Sequence, residues 1–96
     1  MKRLTFSPRA TDDIDQIYDY TDATWGLAQA DAYVRGLRQE CQSLANGIKR
    51  GRKITVRRSG YLLVAFQSHF IAYKETDRLV IVVRILHRRM NIANHL

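Results

Sequence analysis

Residues 53–87, KITVRRSGYLLVAFQSHFIAYKETDRLVIVVRILH, decide how this chain folds. Apolar residues recur here with a period of two, the repeat of a pleated strand. Lys53–Arg58 reads as one strand and Ser59-Gly60 as a tight turn. Tyr61–Gln67 reads as the next strand, Ser68-His69 as the next turn, and Phe70–Glu75 as the strand after it. Thr76-Asp77-Arg78 then turns the chain into Leu79–His87. Strands joined this tightly run antiparallel.

Upstream the period lengthens to that of a helix. Ser7-Pro8 is a helix start, because serine caps the free N–H groups and proline is tolerated at the first position. Ala10, Ile14, Ile17, Thr21 and Trp25 then recur at three- and four-residue spacing, with Tyr18 beside them, over about four turns. Trp25-Gly26 interrupts the pattern. A second apolar stripe (Ala30, Tyr33, Val34, Leu37, Cys41, Leu44 and Ala45) ends at Asn46-Gly47. Two helices with so short a joint fold back as a hairpin. Lys2–Phe6 alternates as a short first strand. The expected fold is therefore α+β: a β-α-α-β-β-β-β order, with the helical hairpin packed on a mainly antiparallel sheet. Residues 1–96 are expected to form a single domain, since the chain has room for one core.

The sheet poses a question of coverage. Leu79, Ile81, Val83 and Ile85 alternate with Val80, Val82 and Leu86, so both faces of the last strand are apolar, with Arg84 the one charge among them. Leu62, Val64 and Phe66 likewise oppose Tyr61, Leu63 and Ala65. The hairpin covers one face. The other is shielded either by curvature of the sheet and the tail Met90–Leu96, or by a partner segment lying in a groove.

Charge is divided unevenly. Residues 1–46 carry −2 and residues 47–96 carry +9, which together give the chain's +7. Such a field draws anionic partners, either nucleic acid or an acidic protein segment, to the second half. Cys41 is the only cysteine and falls in a core stripe, which suits a reducing compartment and an expected cytoplasmic location. The longest apolar run, Leu79–Val83, is too short to span a bilayer, and no membrane association is expected.

Familiar catalytic signatures are missing. His69, His87 and His95 are scattered without companions at metal-ligand spacing, and the glycines at 47, 51 and 60 fit no nucleotide fingerprint. Neither metal nor cofactor is expected. The cationic residues remain: Arg57-Arg58 at the end of the second strand, Arg84 in the last, and His87, Arg88 and Arg89 at its end. These form one patch if the last strands lie near the second, a patch able to bind phosphate or to support acid–base cleavage of RNA. Arg84 must either be paired internally, with Glu75 or an early-helix aspartate, or stand exposed at a binding site.

The segments LTFSPRATDDIDQIYDYT (4–21), WGLAQADAY (25–33), LRQECQSLANG (37–47), RRSGYLLVAFQSH (57–69) and VVRILHRRMNIANHL (82–96), taken in this order, strongly resemble the ParE toxins of bacterial toxin–antitoxin modules, within the wider RelE/ParE superfamily. The chain departs from the family in lacking a proline after the second helix and in carrying Asn91 where an acid often follows the arginine–methionine pair. The resemblance implies a toxin that inhibits DNA gyrase without being an enzyme. It also implies a tightly bound ParD-like antitoxin, through which alone operator DNA would be contacted. The RelE branch instead cleaves ribosome-bound messenger RNA with basic residues and a Tyr or His near the C-terminus, and the tail Met90–Leu96 has no Tyr. A third reading is a binding module that has lost toxicity. On this basis Arg57, Arg58, Arg84, His87, Arg88 and Arg89 are expected to contact the target. Ile14, Ile17, Tyr18, Leu62, Val64, Phe66, Val80 and Val82 are expected to contact the antitoxin.

Overall fold

A computed structural model describes residues 1–96. The chain runs β1 (Arg3–Phe6), α1 (Pro8–Trp25), α2 (Leu27–Ala45), β2 (Arg52–Val56), β3 (Ser59–Phe66), β4 (His69–Glu75) and β5 (Leu79–His87), and ends in a short 3-10 turn, Ile92–Asn94. This is the order expected from the periodicities. The five strands form one sheet in the order β1-β5-β4-β3-β2, antiparallel except where β1 pairs parallel to β5. The first helix is longer than its apolar stripe suggested, at 18 residues.

Gly26 joins the helices at φ +97°, a conformation open to glycine at little cost, and this lets the chain reverse within one residue. The hairpin packs Ala10, Ile14, Ile17, Leu37, Cys41, Leu44 and Ala45 onto Leu62, Ile71, Tyr73, Val80, Val82 and Ile85 of the sheet. Gly51 approaches β3 so closely that a Cβ would lie 2.7 Å from the Leu63 carbonyl oxygen. Its N–H donates to the hydroxyl of the buried Tyr73 at 2.7 Å. Burial pushes the Cys41 thiol up to about 12, so it is held as an unreactive core residue.

The two hairpin turns fall earlier than the glycine and serine positions suggested. Val56 pairs with Ser59, so the β2–β3 turn is Arg57-Arg58, not Ser59-Gly60. Both arginines take positive φ, +50° and +69°. This is the backbone pattern of the primed two-residue turns that suit a twisted hairpin, a place usually filled by Asn-Gly. The β3–β4 turn is Gln67-Ser68, with Gln67 at φ +48°.

A bulge in β5 changes which residues of the doubly apolar strand face the helices. Tyr73 pairs with Val82 but Ala72 pairs with Arg84, so Val83 is an extra residue. It reverses the alternation, and Ile85 joins Val80 and Val82 against the helices instead of opposing them. On the other face Leu63, Ala72 and Leu86 are at most 3% exposed. Lys74 lies over the Tyr61 ring at 4.6 Å and Arg88 over Phe70 at 5.3 Å, long side chains whose stems cover apolar surface. That face is not an open apolar groove.

Beyond Phe6, where β1 ends, helix α1 takes over the edge of β5. The Ser7 N–H donates to the Val82 carbonyl at 2.9 Å, and the Ser7 hydroxyl donates to the Val83 carbonyl at 2.6 Å. The same hydroxyl oxygen accepts from the Ala10 N–H as the helix cap. One turn on, Asp13 accepts the Ile85 N–H at 2.9 Å. Edge groups that would otherwise be stranded by the short first strand are thus satisfied.

Candidate functional site

Arg84 belongs to this edge. Its guanidinium grips Asp13 with two bonds, Nε to Oδ2 at 2.8 Å and Nη2 to Oδ1 at 3.0 Å, and Nη1 donates to the His95 carbonyl at 3.2 Å. The two side chains are only 13% and 11% exposed. The hydrogen bonds to Asp13 raise the arginine's already high pKa. Of the alternatives read from the sequence, the structure realises internal pairing with an early-helix aspartate. Arg84 anchors α1 and the C-terminal tail, and placing it on an exposed target surface is corrected on that ground.

The rest of the expected basic patch is divided. Strand order separates β2 from β5 by two strands, and the β2–β3 turn lies at the opposite end of the sheet from His87. The eight residues of β3 between those ends span roughly 25 Å. Arg57 and Arg58 are exposed at one end; His87, Arg88 and Arg89 lie at the other. They do not form one patch.

The expected antitoxin contacts need a similar correction. Ile14, Leu62, Val80 and Val82 are between 0% and 6% exposed, because they fill the layer between hairpin and sheet and have no free surface to offer. Ile17 is buried too, beneath the groove described next. Tyr18, Val64 and Phe66 are half-buried, Tyr18 donating its hydroxyl to Asp31 of α2 at 2.7 Å.

Exposed apolar surface is found elsewhere, around a groove of about 490 Å³ between the helical hairpin, the β3–β4 turn and the end of β5. Tyr20, Trp25 and Met90 line it while remaining 70%, 73% and 44% exposed, and Leu27 beside the joint is 57% exposed. Tyr33, His69 and His87 are also among its lining residues.

Those three side chains form a cluster that spacing along the chain concealed. His69 pairs directly with His87 across the β4–β5 ladder, with ring centroids 5.3 Å apart and near perpendicular. The Tyr33 hydroxyl accepts from the Ser68 N–H and lies 2.6 Å from Nδ1 of His69. Burial, then the neighbouring His87, lowers the pKa of His69 to about 4, while Asp13 opposes the shift. His87 accepts the Arg89 N–H at its Nδ1. No group of three or more His, Cys, Asp or Glu side chains is placed to hold a metal ion.

The lowered pKa carries a pH dependence. An unfolded chain protonates this histidine near 6.5, whereas the folded chain resists until about 4. Stability is therefore greatest above pH 6.5 and falls as the pH drops from 6.5 to 4. Solvent at the half-exposed ring screens the effect, leaving about 1–2 kcal/mol. Urea titrations at pH 7 and pH 4.5 should show this loss, and His69→Gln should remove that part of the slope.

The strand order, the parallel β1–β5 pair and the helical hairpin define a RelE/ParE-like toxin fold. The chain superposes on a chain of the chromosomal ParDE toxin–antitoxin system from P. aeruginosa, with a TM-score of 0.78 at 20% identity, covering 91% of this chain and 96% of that one. It superposes on a YafQ mutant from E. coli with a TM-score of 0.67 at 14% identity, covering 92% and 94%. The profile of the ParE toxin of the type II toxin–antitoxin system parDE matches residues 4–92. Toxin ParE1 of Caulobacter vibrioides is 35% identical over 96 residues, 100% of this chain and 99% of that protein. Toxin ParE1 of Mycobacterium tuberculosis is 35% identical over 95 residues, 98% of this chain and 97% of that protein. The chain belongs to the ParE toxin family of type II toxin–antitoxin systems. One departure from the family pattern has a local explanation: Asn91 caps the final turn by accepting the Ala93 N–H.

Proposed function

We propose that this chain arrests growth by binding DNA gyrase in the cytoplasm, without catalysing a reaction, and that a ParD-like antitoxin holds it inactive. The observation that carries the reading is the end-to-end similarity, at 35% identity, to proteins named Toxin ParE1. A ParD partner is supported by the structural likeness to a ParDE system. The groove supplies a seat for it. Tyr20 and Trp25 are large, rigid and exposed, the side-chain type that dominates binding energy at protein interfaces. The cations of the second half favour an acidic segment, and a chain that folds on binding can follow such a surface. His87, Arg88 and Arg89, at the far end of the sheet from the β2–β3 turn, are the proposed target contacts. Expression alone should stop growth of a bacterial host, and co-expression with the product of the adjoining reading frame should restore it. Unimpaired growth in the first arm would instead favour a module without toxicity.

The Tyr33–His69–His87 cluster favours a second reading, RNA cleavage in the manner of the RelE branch. Two imidazoles beside Arg88 and Arg89 have the chemical types needed for proton transfer and phosphate binding. On this reading His87→Ala would abolish arrest of translation, measured by cell-free protein synthesis.

A further inference from the structure

Between Glu40 and Glu75 the chain contains no acidic residue but seven Lys or Arg: Lys49, Arg50, Arg52, Lys53, Arg57, Arg58 and Lys74. Lys49 and Arg50 are neutralised by Glu40 and Glu75. None of the other five forms a salt bridge, and all five are exposed. The fold gathers them on the β2–β3 hairpin and the adjoining β4. Arg52 and Lys53 are consecutive on the edge strand, opposite Leu63 and Leu62, so they project from opposite faces of the ribbon. Arg57 and Arg58 form its tip, and Lys74 stands beside it over Tyr61. The tip keeps two arginines at positive φ, where Asn-Gly would be more comfortable. Strain retained at an exposed, charged turn is a sign of use.

We propose that the β2–β3 hairpin is a direct binding site for duplex DNA: its two-stranded tip, residues 54–61, enters the major groove with Arg57-Arg58 leading, while Arg52 and Lys53, at the level where β4 joins β3, meet the phosphates at the groove's rim. A B-form major groove admits a ribbon of this width, whereas the deep, narrow major groove of A-form RNA does not. A single strand would need free aromatic faces to stack on, and the ring of Tyr61 is already covered by Lys74. The contacts are to phosphates, so the binding is insensitive to sequence. It revises the expectation that DNA is reached only through the antitoxin, and it does not depend on gyrase being the target.

The test is fluorescence anisotropy of the purified toxin with a labelled 20-base-pair duplex across a salt series. Five phosphate contacts predict that affinity falls about 500-fold between 50 and 200 mM salt. The double variant Arg57→Asn/Arg58→Gly should lower this to about 40-fold, while its melting temperature rises by about 5 °C because the turn is relieved. Arg57→Lys/Arg58→Lys should keep the wild-type salt dependence. So should Arg9→Gln/Arg35→Gln, which removes two exposed cations from the helices. Four results would overturn the proposal: no binding at 50 mM salt, an Asn-Gly variant with unchanged salt dependence, an equal loss in the Arg9/Arg35 variant, or tighter binding to single-stranded RNA or to a polyglutamate peptide of equal charge. The assay contains no gyrase, so its outcome and that of the gyrase reading are separable.

Discussion

Arg84→Met is expected to destabilise the protein by about 3 kcal/mol, the cost of leaving one member of a buried ion pair without its partner. For a chain of this size that corresponds to a fall of roughly 15 °C in melting temperature. The cause is specific. Asp13 keeps only the Ile85 N–H at Oδ2, and both of its oxygens lose a bond from the guanidinium. The tail also loses its bond from Arg84 to the His95 carbonyl. Adding Asp13→Asn should recover more than half of the loss, because the neutral amide oxygen can still accept the Ile85 N–H while no charge is stranded. Thermal denaturation of the two variants and the wild type measures this directly. A single variant as stable as wild type would return Arg84 to the list of exposed functional cations.

The second large effect is expected at the antitoxin interface. Trp25→Ala should weaken antitoxin binding by about 2 kcal/mol or more, near 30-fold in affinity. The stability of the free toxin should shift by no more than about 0.5 kcal/mol, because the side chain is 73% exposed at the end of α1. Tyr20→Ala should act in the same direction. Isothermal titration with the purified antitoxin separates the two quantities. Unchanged affinity in both variants would place the antitoxin away from the groove.

Much of the fold was legible in the sequence because its signals are local. The 3.6-residue stripe through Ala10, Ile14 and Ile17, and the two-residue period through β3 to β5, each report burial by neighbours in the same element. The turns were misplaced by two residues at β2–β3 and by one at β3–β4 because Ser-Gly and Ser-His look like better turns than Arg-Arg and Gln-Ser. The pairing of Val56 with Ser59 outweighed that local preference. The site was less legible for one further reason. Simple counting along the β4–β5 hairpin, from the pairing of Glu75 with Val80, sets His69 opposite Leu86. Only the extra residue Val83 brings His87 into register with it. A bulge of this kind has no signature in one strand read alone. The same bulge turned Ile85 toward the helices and Leu86 to the opposite face. Burial then removed Ile14, Leu62, Val80 and Val82 from the candidate contacts.

The separation of basic residues into two ends of the sheet gives the toxin two surfaces that can be altered independently. Changes at His87, Arg88 and Arg89 should affect the proposed target contact, and changes at Arg57 and Arg58 the proposed DNA contact. Neither group lies in the core, so each can be tested in a folded protein.

The most direct measurement of the central claim is a supercoiling assay with purified gyrase and relaxed plasmid, run beside cell-free translation at the same toxin concentrations. Inhibition of supercoiling that is reversed by equimolar antitoxin, with translation unaffected, is the expected result. Blocked translation with full supercoiling activity would contradict gyrase as the target and move the function to the Tyr33–His69–His87 cluster.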